Sequence, residues 1–174
     1  CGLQLFGVSQ GAQACGFSVF ASTGEGGGMV RGVRYPNGSA LSRREIGVLE
    51  EFAKEFGAKG LATLSIDLEP QPDPAHVTRA GLHVRGGIAK FFQLEEIERI
   101  LELAEAEPGD LLCFVADAYM AGNNVLSRLR NEIGKRCGLR DKRRLNFVWV
   151  LDFPLVEWNE ETQGWDAMHH LFTG

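Results

Sequence analysis

Apolar positions recur along the chain with two different periods, and glycine or proline clusters separate the segments. Apolar residues at three- and four-residue steps predict an amphipathic helix over 94–104 and another over about 120–137. A further helix is predicted to begin at Ser42, because Glu45 follows at the capping-box spacing. Strand-like runs alternate with these helices, so the pattern predicts an α+β fold.

The predicted strands are short apolar runs bounded by turn residues. They cover residues 17–22, 29–35, 61–68, 111–116, 147–153 and 165–172. The glycine-rich residues 24–28 predict a hairpin connection between the first two strands. Residues 69–87 contain three prolines near their start and show no clean period, which predicts a loop.

The charge of the chain is unevenly distributed. The net charge is −5 over 174 residues, which gives no overall reason to expect nucleic-acid binding. Residues 128–144 nevertheless hold eight basic side chains against only Glu132 and Asp141. Two interpretations stay open for this basic segment: a solvated helix face, and a contact with RNA phosphates.

Few residues offer catalytic or metal-binding chemistry. The glycine cluster lacks the spacing of a phosphate loop, and the carboxylates of residues 94–110 fit a solvated helix face. The cysteines form no CxxC pair, and Cys113 lies in an apolar run, so reduced structural thiols are expected. His76 and His83 fall in the predicted loop, where we expect them to be exposed to solvent, and no histidine spacing predicts a metal site.

His169 and His170 form the more informative pair. If they lie on the last predicted strand, their side chains point to opposite faces, so only one of them can line a given pocket.

The apolar runs are too short for a membrane span, and no basic-then-apolar leader opens the chain. We therefore expect no membrane association and a cytoplasmic location.

Several short sequence blocks follow one another along the whole chain. The first four are Gly16-Phe-Ser-Val-Phe-Ala21, Val30-Arg-Gly-Val33, Leu41-Ser-Arg-Arg-Glu-Ile46 and Gly57-Ala-Lys-Gly-Leu-Ala62. The next are Ile88-Ala-Lys-Phe91, Gly109-Asp-Leu-Leu-Cys-Phe-Val-Ala-Asp117, Phe147-Val-Trp-Val-Leu-Asp-Phe-Pro154, Glu157-Trp158, Ala167-Met-His-His170 and Phe172-Thr173. In this order, the blocks resemble the central region of bacterial and mitochondrial aspartyl-tRNA synthetases.

The resemblance implies a domain organisation. Residues 16–144 are similar to the GAD insertion domain, a mixed sheet covered by helices, and residues 145–174 to the start of the returning class II catalytic domain with its antiparallel sheet. Residues 1–15 would then end the preceding catalytic segment. The chain is expected to be an internal part of such an enzyme, and a mitochondrial or plastid location fits the resemblance as well.

The resemblance also implies an activity: ATP-dependent activation of L-aspartate and its transfer to tRNA(Asp), with Mg²⁺, in a homodimeric parent. His169 matches the histidine that lines the aspartate pocket, with His170 as its neighbour, while Leu171 replaces the motif proline. Arg140, Lys142, Arg143 and Arg144 are candidate tRNA contacts. The segment contains no counterpart of class II motifs 2 and 3, so alone it is expected to be inactive and to bind neither ATP nor metal.

An alternative is left open by the same resemblance. The insertion domain is shared with the archaeal glutamyl-tRNA amidotransferase E subunit, which would make the chain a non-catalytic module that contacts tRNA. The catalytic-like residues 145–174 favour the synthetase.

Overall fold

The computed structural model describes residues 2–8, 17–67, 69, 74–141, 143, 145, 147–149, 151, 154–159 and 161–168. The chain divides into two compact units, Cys1–Arg140 and Asp141–Gly174.

The described part of the first unit contains one six-stranded sheet and four α-helices. The strands are β1 (Leu5–Gly7), β2 (Met29–Tyr35), β3 (Ala62–Asp67), β4 (His76–Val77), β5 (His83–Arg85) and β6 (Leu111–Asp117). The helices are α1 (Ser18–Glu25), α2 (Arg43–Glu55), α3 (Leu94–Leu103) and α4 (Tyr119–Arg136), with 3-10 turns at Gly38–Ala40 and Ala89–Phe91.

The sheet has the strand order β1-β2-β6-β3-β5-β4. Every neighbouring pair is antiparallel, and β2 and β6 pair over their full length from Met29↔Asp117 to Tyr35↔Leu111. The α+β prediction is confirmed, whereas the predicted mixed sheet is wrong, because neighbouring strands enter the sheet from opposite ends.

Helices cover both faces of this sheet. Along β6 the side chains alternate: Leu112 and Phe114 pack with residues of α1 and α3, whereas Leu111 and Cys113 pack with residues of α2 and α4. A central strand that is buried on both faces reads as a continuous apolar run, which is what residues 111–116 show. The first unit therefore has three layers, with one hydrophobic core on each side of the sheet.

The predicted capping box at the start of α2 is confirmed. The Ser42 hydroxyl accepts a hydrogen bond from the Glu45 amide (3.3 Å), and the Ser42 amide donates to the Glu45 carboxylate (2.8 Å). The Ser42 hydroxyl also donates to the Glu45 carboxylate (2.7 Å), and this bond, followed by the one from the Ser42 amide, lowers the pKa of Glu45. The helix is followed by Gly57, whose φ of +97° only glycine adopts readily.

The predicted strand over 17–22 is wrong. Residues Ser18–Glu25 form helix α1, and the glycine-rich residues 24–28 end this helix, with Gly27 at φ +73°, instead of forming a hairpin. Phe17 and Phe20 lie on one side of this first turn, with ring centroids 4.9 Å apart. Burial of Phe20 in the core thus overrides the strand preference of the local composition.

The predicted loop over 69–87 is wrong in its second half. Strands β4 and β5 form a short hairpin there, closed by Gly81 at φ +79° and by a hydrogen bond from the Gly81 amide to the Thr78 carbonyl (2.8 Å). His76 and His83 are half-buried on these strands, so the expected solvent exposure of both histidines is also wrong.

The described part of the second unit contains one hairpin, formed by β7 (Val156–Asn159) and β8 (Gly164–Ala167). Trp158 and Trp165 pair across it with ring centroids 5.4 Å apart. Of the predicted strand 147–153, the described residues 147–149 and 151 form no strand. The predicted boundaries at 15/16 and 144/145 stay predictions, although β1 pairs with β2 in the same sheet.

Candidate functional site

The predicted aspartate-pocket residues, His169 and His170, lie outside the described residues. Just before them, β8 is fixed by pairing with β7, and the Met168 amide donates to the Leu155 carbonyl (2.9 Å). The Asn159 side chain donates to the Asp166 carboxylate (2.6 Å) across the same hairpin. The hairpin therefore defines the backbone up to Met168, and the role of His169 stays a prediction.

The predicted basic segment begins on helix α4, whose apolar side packs on the sheet. Val125, Leu126, Leu129 and Ile133 are fully or almost fully buried. Arg128 is exposed and stacks over the Phe56 ring at 5.3 Å, a cation–π contact between α4 and the end of α2. The basic residues of α4 thus lie beside its buried side, and Arg128 is more exposed to solvent than Arg130.

Two further basic side chains of α4 have structural partners. Arg130 donates to the Leu3 carbonyl (2.6 Å) and ties α4 to the N-terminal segment. Arg136 forms an ion pair with Glu132 (2.8 Å) one turn earlier. Because Arg130 and Arg136 already have these partners, they are less available to bind a phosphate group.

The candidate tRNA contacts divide between the two units. Arg140 is exposed at the end of the first unit, and Arg143 is exposed in the second, where it pairs with Asp141 (3.5 Å). Lys142 and Arg144 lie outside the described residues. Exposed arginines can contact phosphates without any buried site, since that contact is electrostatic and needs no base recognition.

The cysteines that the structure describes are not poised for catalysis. Cys113 and Cys137 are free thiols, and burial raises the pKa of Cys113 to about 12. Burial also raises the pKa of Cys137. Because the thiolate is the nucleophile, the buried Cys113 thiol is unreactive near neutral pH, and the raised pKa of Cys137 disfavours its thiolate as well.

Three buried carboxylates lie at strand ends of the sheet. For Asp110, which was counted with the solvated carboxylates of residues 94–110, the expectation is wrong, because Asp110 is 3% exposed next to β6. Asp67 pairs with Arg85 (2.8 Å), Asp110 with Arg34 (3.5 Å) and Asp117 with Lys59 (3.1 Å). Asp110 also accepts hydrogen bonds from backbone amides of Asn37 and Glu107. In the sequence, each of these aspartates adjoins an apolar strand, and this position could have indicated their burial. Because each one pairs with a basic side chain of the same fold, we interpret all three as structural residues.

Other carboxylates form ion pairs and hydrogen bonds on the surface of α3. On α3, Glu95 and Glu98 pair with Arg79, and Glu96 accepts a hydrogen bond from the Gln93 amide in a capping box. Across the described ranges, no three His, Cys, Asp or Glu side chains form a group that could hold a metal ion. No helix in these ranges is long and apolar enough to cross a membrane.

Comparison with known protein families matches residues 20–126 to the GAD domain. The chain belongs to the GAD domain family. The matched residues run from Phe20 in α1 to Leu126 in α4, so they include β2 to β6 with the helices on both faces of the sheet.

Relatives of this GAD domain protein extend the similarity to nearly the whole chain. The aspartate–tRNA(Asp/Asn) ligase of Geotalea uraniireducens is 44% identical over 172 residues, which are 99% of this chain and 27% of the relative. The ligase of Lachnoclostridium phytofermentans is 41% identical over the same coverage, and that of Endomicrobium trichonymphae is 42% identical over 91% of this chain and 25% of the relative.

The chain therefore spans about a quarter of the length of the relatives it matches. The similarity also reaches beyond the GAD match on both sides, into β1 and into the β7–β8 hairpin. The resemblance to aspartyl-tRNA synthetases seen in the sequence blocks is confirmed.

Proposed function

We propose that this chain is part of an aspartate–tRNA ligase, a class II aminoacyl-tRNA synthetase that activates L-aspartate with ATP and transfers it to tRNA(Asp). The observation that supports this best is the 40–44% identity to aspartate–tRNA(Asp/Asn) ligases over 98–99% of the chain. A shared GAD domain alone would leave residues 127–174 unmatched, whereas these relatives match them as well.

In this proposal the chain contributes a structural insertion and part of an aspartate pocket. Residues 16–144 form the insertion, residues 1–15 and 145–174 belong to the flanking class II catalytic domain, and β7 and β8 are strands of its antiparallel sheet. His169 lines the aspartate pocket, where a protonated imidazole would attract the substrate carboxylate. His170, one residue later, faces away from it.

The parent enzyme would be a cytoplasmic homodimer that uses ATP and Mg²⁺. The described residues do not fit a magnesium site, since no suitable cluster of ligands occurs among them. In this proposal the parent binds ATP and Mg²⁺ through the class II motifs 2 and 3, which have no counterpart in this sequence. The chemistry that they supply there is activation of the aspartate carboxylate.

The tRNA would contact the basic segment that follows α4. Arg140 and Arg143 are exposed, and phosphate contacts of this kind add affinity without sequence preference. Lys142 and Arg144 are included because they continue the same basic run.

Neutralising Arg140, Lys142, Arg143 and Arg144 together, each to Gln, should lower tRNA affinity in the full-length protein. Each lost phosphate contact should also reduce the slope of log affinity against log salt by about 0.9. Filter binding with tRNA(Asp) between about 50 and 200 mM salt measures both quantities. The matched control neutralises Lys54, Arg79, Lys90 and Arg99, which are exposed on other elements. An unchanged slope in the first variant would make the basic run a solvated surface.

A segment exchange tests the proposed function directly. The matching 172 residues of the Geotalea uraniireducens ligase are replaced by this chain, and the chimera is assayed for aspartylation of tRNA(Asp). We expect a folded chimera to aspartylate tRNA(Asp), while the same ligase without the segment should not. A folded, dimeric chimera without activity would count against the ligase assignment. If it binds tRNA but activates no aspartate, the alternative of a non-catalytic tRNA-contacting module is favoured.

A further inference from the structure

The Asn159 side chain connects the turn between β7 and β8 to the opposite strand. Its carbonyl oxygen accepts hydrogen bonds from the backbone amides of Glu161 (2.8 Å) and Thr162 (3.2 Å). Its amide nitrogen donates to the Asp166 carboxylate (2.6 Å) on β8. One short side chain thus holds both the conformation of the turn and the position of β8 beside β7, because asparagine can bond the backbone two residues further along the chain.

The two faces of the hairpin carry different cross-strand pairs. Trp158 lies opposite Trp165 on one face, where the two rings pack edge to face with centroids 5.4 Å apart. Glu157 lies opposite Asp166 on the other face. Like charges directly opposite each other destabilise a strand pair. The hydrogen bond from Asn159 to Asp166 therefore offsets a repulsion that the sequence itself places in the hairpin.

The register of β7 and β8 is set by contacts within the hairpin. In the second unit taken by itself, the described residues of both strands are exposed or half-buried, so no buried face fixes their alignment. A two-stranded hairpin is only marginally stable, and a slip of one residue would turn every side chain to the other face. The turn and the cross-strand pairs therefore decide how the strands align.

β8 leads directly to the predicted aspartate-pocket histidine. The strand ends at Ala167, and the Met168 amide still donates to the Leu155 carbonyl (2.9 Å). The alignment of the hairpin thus extends to the residue before His169. We propose that Asn159 is a positioning residue for aspartate binding, which acts through the register of β8 instead of contacting the substrate. The proposal rests on the proposed ligase function and on the role of His169 in it.

Two reciprocal substitutions test this role in the full-length protein. Asn159→Asp keeps an acceptor for the turn amides but places a carboxylate against that of Asp166, so the contact becomes repulsive. Adding Asp166→Asn restores a donor and an acceptor across the strands, with the hydrogen bond reversed in direction. We expect Asn159→Asp to raise the KM for aspartate at least about tenfold, because a displaced pocket residue loses its contact with the substrate. The double variant should return to within about threefold of the unchanged protein.

ATP–pyrophosphate exchange, with aspartate and ATP varied in turn, separates positioning from a general loss of structure. A displaced aspartate pocket raises the KM for aspartate, while the KM for ATP stays within about twofold of its original value. A loss of structure reduces the amount of active enzyme, so it lowers kcat and leaves both KM values unchanged. Glu161→Gln is the matched control, since it changes one charge in the same turn and keeps the backbone amide that Asn159 binds. It should change neither KM.

Circular dichroism of the chain follows the register of the hairpin directly. Two tryptophans packed edge to face give an exciton couplet in the far ultraviolet, which is lost when a slipped register moves the rings apart. We expect a weaker couplet in Asn159→Asp and a restored couplet in the double variant. An unchanged couplet in Asn159→Asp would show that this side chain does not set the register, and would overturn the proposal.

The kinetic results can contradict the proposal in three ways. The KM for aspartate could stay unchanged in Asn159→Asp, fail to recover in the double variant, or rise together with the KM for ATP. Each of these results would leave the ligase assignment intact, because the unchanged protein still catalyses exchange. Absence of aspartate-dependent exchange in the unchanged protein would instead overturn the proposed function, and the positioning role with it.

Discussion

Phe114→Ala is expected to lower the free energy of unfolding by about 3–5 kcal/mol, the usual range for removing a large aromatic side chain from a core. Phe114 is 1% exposed on the central strand β6. Its ring contacts those of Phe6 (5.6 Å) and Phe20 (5.9 Å), so it joins β1 and α1 to the sheet. Gly32 leaves room for these rings, since a Cβ there would lie 2.6 Å from the Phe6 ring. The cavity left by the Phe114 ring could close only if β6, β1 and α1 all moved.

Urea denaturation followed by far-UV circular dichroism measures this loss. Most helices and strands of the described residues lie in the first unit, so ellipticity reports mainly on it. Tryptophan fluorescence reports on the second unit, because Trp149, Trp158 and Trp165 all lie there. The control is Phe147→Ala at a side chain that is 93% exposed, for which we expect a change within about 0.5 kcal/mol. A loss below about 1 kcal/mol for Phe114→Ala would mean that the two cores are packed differently.

Elements with strong local signals could be predicted from the sequence. The capping box at Ser42 located the start of α2 within one residue, and the apolar spacing of 94–104 located α3. β6 was predicted from an apolar run that is buried on both faces. In these segments the local preference and the tertiary contacts agree, which is why periodicity was sufficient.

The wrong predictions concern segments whose structure depends on distant residues. Helix α1 is short, and its Phe20 packs against Phe92 and Phe114, both of which are far along the chain. The β4–β5 hairpin consists of strands of two and three residues, too short for an alternation pattern to be recognised. β5 is held by β3 and by the ion pair between Arg85 and Asp67, which no local pattern indicates.

For the candidate site, the sequence indicated the basic segment, but it did not indicate which of its side chains have partners within the fold. Arg130 donates a hydrogen bond to the Leu3 carbonyl, 127 residues away, and Arg128 makes a cation–π contact with the Phe56 ring. Both partners are brought close by the tertiary fold and could not be inferred from charge spacing.

His169→Ala in the full-length protein should weaken the use of aspartate by about 1–3 kcal/mol, the range for losing a hydrogen bond to a charged group. This corresponds to a roughly 5- to 150-fold lower kcat/KM for aspartate. The physical reason is that an imidazolium at His169 would pair with a substrate carboxylate, and alanine offers neither charge nor donor. Aspartate-dependent ATP–pyrophosphate exchange measures the effect without requiring tRNA.

His170→Ala is the matched control for this prediction. If residues 169 and 170 continue the extended backbone of β8, their side chains lie on opposite faces, and His170 cannot reach the pocket that His169 lines. His170→Ala should therefore act through stability, with a lower Tm and an unchanged KM for aspartate. His169→Gln, which keeps a hydrogen-bond donor but no charge, should fall between the parent and His169→Ala. Equal losses of aspartate use from His169→Ala and His170→Ala, with neither variant destabilised, would contradict both the alternation and the assignment of His169.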